Sequence, residues 1–135
     1  MTAVTTPILS NATDSLLRFG LRADAVVTGV VGLAGVLLAH PMAALTGMTA
    51  AQEYGVAAFL VLYGAVVYFL SALPDVRRAG IGVIAANVVW TVAAVAVVEA
   101  GVLPLTGIGI AATLASAVYT AFFGVLQYRG LRRLT

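Results

Sequence analysis

Four long apolar segments dominate the chain, separated by short stretches that contain charged residues, proline or glycine. We place these segments at residues 22–39, 51–73, 80–100 and 105–128. A helix of about 20 residues is about 30 Å long, which matches the hydrocarbon thickness of a bilayer. Helices satisfy their own backbone hydrogen bonds in lipid. The pattern therefore predicts an all-α fold, a bundle of four transmembrane helices.

Composition supports the same class. Apolar residues make up 62% of the 135 positions and charged residues 9%, whereas soluble domains carry about 25% charged residues. The chain has no cysteine, which excludes disulfides, thiolate metal sites and cysteine nucleophiles. We expect a bacterial multi-pass protein of the inner (plasma) membrane.

The first 20 residues form an N-terminal segment before the membrane domain at residues 21–128. Apolar and charged side chains alternate over residues 13–22, which fits either a short helix at the membrane surface or a lead-in to the first span. A cleaved signal peptide fits less well, because three further apolar segments follow. Between the first two spans, Thr49 and Gln52 have the spacing of a helix capping box.

The basic residues predict the orientation. All seven are arginines, and they precede the first span, lie between the second and third, or follow the fourth. Positively charged segments stay in the cytoplasm, so we expect both termini there, with residues 129–135 as a basic cytoplasmic tail. Five of these arginines are candidates for contacts with anionic lipid headgroups: Arg77, Arg78, Arg129, Arg132 and Arg133.

The third span contains a polar face within its apolar run. Asn87, Trp90 and Thr91 share one side of a helix with period 3.6. An amide in hydrocarbon needs a hydrogen-bond partner, so we expect Asn87 to face other helices. Trp90 lies near the middle of the span, where a core or partner contact is more natural than an interfacial anchor.

Polar residues at similar depth in the other spans predict a polar seam between the helices. We expect this seam to hold the helices together, or to line a ligand pocket. Its candidate residues are Asp24, Thr28, Tyr68, Asn87, Trp90, Thr91 and Thr120, with Gln127 at the same depth.

Asp24 is the one acid expected inside the membrane, which makes it a functional candidate. Its predicted place, about one turn into the first span, favours a structural role, since a helix N-terminus stabilises a carboxylate. We expect Arg77, Arg78 or Arg129 to pair with it. Proton or cation handling is the alternative.

Local motifs resemble small uncharacterised bacterial four-helix integral membrane proteins, with a layout broadly similar to DoxX-like and SPW-repeat proteins. The resemblance covers about residues 16–133 and implies no established activity, so no site residue follows from it. The stretches that carry it are Leu21-Arg22-Ala23-Asp24-Ala25, Ala86-Asn87-Val88-Val89-Trp90, Leu103-Pro104-Leu105-Thr106-Gly107 and Leu126-Gln127-Tyr128-Arg129-Gly130-Leu131-Arg132.

These observations favour a non-catalytic membrane protein that assembles with itself or with another integral membrane protein as an accessory subunit. A small transporter or a lipid or small-molecule binder using the polar seam is the alternative. We expect no enzyme activity, because no nucleophile with a base, paired carboxylates or metal-ligand set is recognisable. We likewise expect no cofactor, no metal and no nucleic-acid partner, only membrane lipids and membrane proteins.

Overall fold

In the computed structural model, residues 2–134 are described, with side chains from residue 13 onward. These residues form five helices and no strand. The helices are α1 (Thr2–Leu37), α2 (Ala39–Thr46), α3 (Ala50–Ser71), α4 (Arg77–Ala100) and α5 (Gly107–Arg132). Four of them, α1 from Thr13 onward, α3, α4 and α5, are long and apolar enough to cross a membrane. The prediction of an all-helical chain with four such helices is confirmed, and it indicates a multi-pass membrane protein.

Helix α1 is longer than the predicted first span. It runs unbroken from Thr2 to Leu37, and its apolar part includes residues 13–21, ahead of the predicted start at residue 22. Leu17 and Leu21 are fully buried, and Leu17 packs directly against Gly130 of α5. Residues 13–20 are thus part of the first long helix, and one face of them is buried against the other helices. The rest of the predicted N-terminal segment, residues 1–12, lies outside the described side chains.

A short helix that the sequence analysis missed follows α1. We expected Pro41 to end the first span near residue 39, but α1 ends at Leu37 and Pro41 lies in the first turn of α2. Proline is tolerated there, because first-turn N–H groups have no intrahelical partner. The predicted capping box of α3 is confirmed: the Thr49 hydroxyl accepts from the Gln52 N–H at 3.0 Å, and the Gln52 side chain accepts from the Thr49 N–H at 3.0 Å.

The four long helices pack in the order α3, α1, α5, α4, while α3 and α4 make few direct contacts. Small residues allow α1 and α3 to approach closely. A Cβ atom added at Gly32 would lie 2.7 Å from the Val61 backbone nitrogen, and one at Gly64 would lie 2.7 Å from the Ala25 carbonyl oxygen. Such close backbone approach is typical of helix pairs in lipid, where van der Waals packing replaces the hydrophobic effect.

Arg18 joins α1 to the end of α3. Its guanidinium donates to the carbonyl oxygens of Ser71 at 2.9 Å, Leu73 at 2.6 Å and Pro74 at 2.9 Å, and it pairs with Asp14 at 3.0 Å. The last carbonyls of a helix have no intrahelical donor, and a positive charge is favourable beside them. Arg18 therefore caps α3 from a neighbouring helix, in addition to its predicted role in orientation.

Candidate functional site

The carboxylate of Asp24 lies at the centre of the packed helices and is fully buried. Side chains from all four long helices donate hydrogen bonds to it. The donors are Thr28 (3.0 Å) and Tyr119 (3.1 Å) to Oδ1, and Tyr63 (3.2 Å), Asn87 (3.1 Å) and Gln127 (3.0 Å) to Oδ2. We call these six residues the Asp24 cluster. Every partner is an uncharged hydroxyl or amide.

Asp24 differs in two respects from its predicted setting. It lies about six helical turns after Thr2, the first residue of α1, so it is beyond the first-turn reach of the helix dipole. The expected arginine partner is also missing: within residues 13–134, no arginine bonds to or pairs with Asp24. The structural role inferred from the dipole and an ion pair therefore loses both of its premises.

Asn87 has the helix-facing position that its amide requires. Its Nδ2 donates to Asp24 and, at 2.8 Å, to Oε1 of Gln127. Gln127 in turn donates from Nε2 to Asp24 and to the Gly20 carbonyl at 3.3 Å. The two amides thus connect α4 and α5 to α1 at the level of the carboxylate.

The remaining seam residues of α4 and α5 form a second set of hydrogen bonds one turn further along. The hydroxyls of Thr91 and Thr120 lie 2.6 Å apart, and the Trp90 indole N–H donates to the Ser116 hydroxyl at 3.0 Å. The Trp90 ring stacks on Phe59 of α3 with 6.0 Å between centroids. This ring pair bridges the otherwise weak contact between α3 and α4.

Tyr68 is the one seam candidate that the structure leaves outside. Its side chain is 51% exposed, and no described hydrogen bond of its hydroxyl reaches the cluster. Tyr63, on another face of α3, supplies the hydroxyl instead.

The five arginines considered for lipid contacts are all exposed, at the end of the molecule where α4 begins and α5 ends: Arg77, Arg78, Arg129, Arg132 and Arg133.

Sequence reasoning missed Tyr63 and Tyr119, although a usable signal existed. Each lies near the middle of a predicted span, far from the interfaces where tyrosine normally anchors. A phenol hydroxyl at that depth needs a partner, as was argued for Asn87. The same reasoning would have assigned both tyrosines to the seam.

A partly open cavity of about 350 Å³ adjoins the cluster, and exposed side chains such as Val31 and Phe59 lie in its wall. Asp24, Thr28, Tyr63, Asn87 and Tyr119 line it, and the stacked rings of Phe59 and Trp90 form its wall where α3 faces α4. The rest of its wall is mainly alkyl. Its lining residues therefore combine one carboxylate and its donors with four aromatic rings and an apolar surface.

A second cavity of about 560 Å³ extends from the first towards α2, where Thr46 and Glu53 line it. Trp90 lies at the boundary, and it is one of five residues that line both cavities: Val31, Leu60, Trp90, Ala112 and Ser116. The part of the chain from residue 13 to 134 brings no three His, Asp or Glu side chains close enough to hold a metal ion. The arrangement suits a small organic ligand.

Comparison of the chain with protein families, curated proteins and solved structures finds no match, so its function has to be argued from the Asp24 cluster and the adjoining cavity.

Proposed function

We propose that this chain is an inner-membrane protein whose four long helices span the bilayer as a bundle, and that it binds a small, largely apolar molecule in the cavity beside Asp24. Both termini lie in the cytoplasm in this proposal. The arginines support that orientation, because residues 17 and 18 of α1, the turn between α3 and α4 and the end of α5 lie together at one end.

The observation that carries ligand binding is the buried carboxylate beside a partly open cavity. A polar cluster that only holds helices together needs no void, since protein interiors are close-packed with few spaces larger than a water molecule. The cavity of about 350 Å³ lies within the size range of ligand pockets, and an apolar wall with a few convergent polar groups is their usual lining. The cavity therefore supports ligand binding more than a purely assembling role.

The bilayer itself is the natural source of the ligand. Because α3 and α4 make few contacts, the stacked rings of Phe59 and Trp90 are the main contact between these two helices beside the cavity. Phe59 is half exposed, so a rotamer change would widen the opening between the two helices without unfolding either one. A molecule dissolved in lipid would enter by this route.

The assembly role favoured by the sequence remains a prediction. Purification of the tagged protein from native membranes in mild detergent, with mass determination, tests it directly. A stoichiometric protein partner would support an accessory subunit, and a lone chain would contradict both forms of assembly.

The binding proposal is tested by filling the cavity. Ala112 lines both cavities, whereas its neighbour Ala111 lines neither and is exposed. Protein carrying Ala112→Phe should lose a small molecule that mass spectrometry finds in the purified wild type, and Ala111→Phe should retain it. The same retained molecule in both variants, or none in the wild type, would contradict the proposal.

A further inference from the structure

We propose that the ligand of this cavity is an organic cation with an apolar body, such as an aromatic or alkyl ammonium, and that Asp24 is its counter-ion. This inference rests on the proposed function, because it names the chemical class of the molecule that the cavity binds. It assigns Asp24 a direct role in recognition, besides its place in the hydrogen-bond network.

The first argument concerns charge. Five donors point hydrogens at the Asp24 carboxylate, an arrangement that fits the ionised acid. These donors satisfy its lone pairs but carry no charge, so a net negative charge remains. An unpaired charge in a low-dielectric interior is strongly unfavourable, and it attracts a cation.

The nearby basic side chains do not supply that cation. Arg18 is engaged by Asp14 and by the carbonyls at the end of α3, and Arg22 donates to the Ser71 hydroxyl at 3.4 Å. Throughout residues 13–134, Asp24 has hydrogen bonds from neutral groups and no ion pair. The charge is left for a ligand to neutralise.

The second argument concerns the rings. Phe59, Tyr63, Trp90 and Tyr119 all line the cavity. The face of an aromatic ring attracts an ammonium, most strongly in tryptophan, and such rings recognise quaternary ammonium groups in many proteins. An anionic ligand would be repelled by both the carboxylate and the ring faces.

The third argument distinguishes an organic cation from a metal ion. Metal ions such as Ca²⁺ require six or more oxygen ligands, whereas the carboxylate oxygens of Asp24 are already occupied by five donors. The rest of the lining is mainly alkyl, with Val27, Val31 and Leu60 among it. Such a wall suits the hydrocarbon part of an amphipathic cation.

The test uses two probes of the same shape, phenyltrimethylammonium and tert-butylbenzene, which differ only in charge. Trp90 is the single tryptophan of the chain and lines the cavity, so its fluorescence reports binding by the purified protein in detergent. Asp24→Asn should weaken binding of phenyltrimethylammonium at least about tenfold, because it removes the negative charge that attracts the cation. The same variant should change binding of tert-butylbenzene less than about twofold, because that probe carries no charge.

Two controls make the result specific. Glu99→Gln removes an exposed acid from the last turn of α4 and should leave both affinities unchanged. If Asp24→Asn fails to fold, the wild type alone decides: phenyltrimethylammonium should quench Trp90, and benzenesulfonate at the same concentration should not.

Failure of the cation inference can be distinguished from failure of the proposed small-molecule binding. Equal responses to the cation and to benzenesulfonate, or equal effects of Asp24→Asn on the two matched probes, would overturn the cation inference and leave small-molecule binding standing. No response to phenyltrimethylammonium in the wild type would also overturn it. The binding proposal is tested separately, by whether Ala111→Phe retains the native ligand and Ala112→Phe loses it.

Discussion

At the residue scale, substitutions in the Asp24 cluster should lower the folding stability more than substitutions at outward-facing neighbours. Each neutral donor in it satisfies part of a buried carboxylate, so removing one donor leaves an acceptor short of a partner. Such a loss is more costly than the net value of a typical hydrogen bond. Neighbouring residues that face outward share the same helices but not this cost.

Asn87→Leu should lower stability by about 0.5 to 2 kcal/mol, the range for interhelical hydrogen bonds in membrane proteins. The change removes the donor to Asp24 and the donor to Gln127. Thermal unfolding in detergent measures the effect, and Val88→Leu, at a 54% exposed neighbour, is the control. An unchanged melting temperature for Asn87→Leu would show that these bonds contribute nothing.

Two tyrosines of α3 provide a matched pair. Tyr63→Phe removes a hydroxyl that donates to Asp24, whereas Tyr68→Phe removes one from a half-exposed ring. We expect Tyr63→Phe to cost about 1 to 3 kcal/mol of unfolding free energy and Tyr68→Phe to cost nothing measurable. Chemical unfolding of both variants in mixed micelles makes the comparison, and an equal loss in the two would place Tyr68 in the network as well.

At the element scale, α1 and α3 form the most extensive helix contact among the described residues. Gly64 lies against the Ala25 carbonyl and Gly29, so no side chain fits between the two backbones. Gly55, on the same helix, has open space where a Cβ would go. Glycine therefore has a packing function at residue 64 and none at residue 55.

Gly64→Ala should destabilise the protein by about 1 to 3 kcal/mol, because the added methyl forces α1 and α3 apart. Gly55→Ala adds the same methyl to the same helix and gains helix propensity, so its melting temperature should be unchanged or higher. Melting temperatures of the two purified variants provide the test. A Gly64→Ala protein as stable as Gly55→Ala would mean that the helix pair adjusts without cost.

Helix boundaries at this scale were predictable where the chemistry is local. Thr49 and Gln52 cap α3 through contacts three residues apart, and this pattern is readable in the sequence. The beginning of the first apolar span was not predictable in this way, because Asp14 and Arg18 interrupt the apolar run that the prediction used. Their charges pair with each other, and Arg18 binds the end of α3, a partner distant in sequence.

At the scale of the whole molecule, the distribution of arginine predicts the orientation in the membrane. We expect alkaline phosphatase fused to the C-terminus to be inactive, since that enzyme folds only outside the cytoplasm. Fusion within residues 102–105, between α4 and α5, should give an active enzyme. An active C-terminal fusion would reverse the proposed topology.

The sequence determined those properties that depend on local composition. The length of apolar runs defines helices that can cross a bilayer, since lipid offers no partner for an open backbone. It also identified Asp24, Thr28, Asn87 and Thr120 as polar residues that need to face other helices.

Only the tertiary structure decided which of these groups meet. Whether Tyr63 or Tyr68 reaches Asp24 depends on the rotation of α3 against α1, which small residues such as Gly64 set through direct backbone contact. The cavity beside Asp24 likewise exists because α3 and α4 stay apart while each packs on another helix. A void is a property of the packed helices together, so no pattern within one helix predicts it.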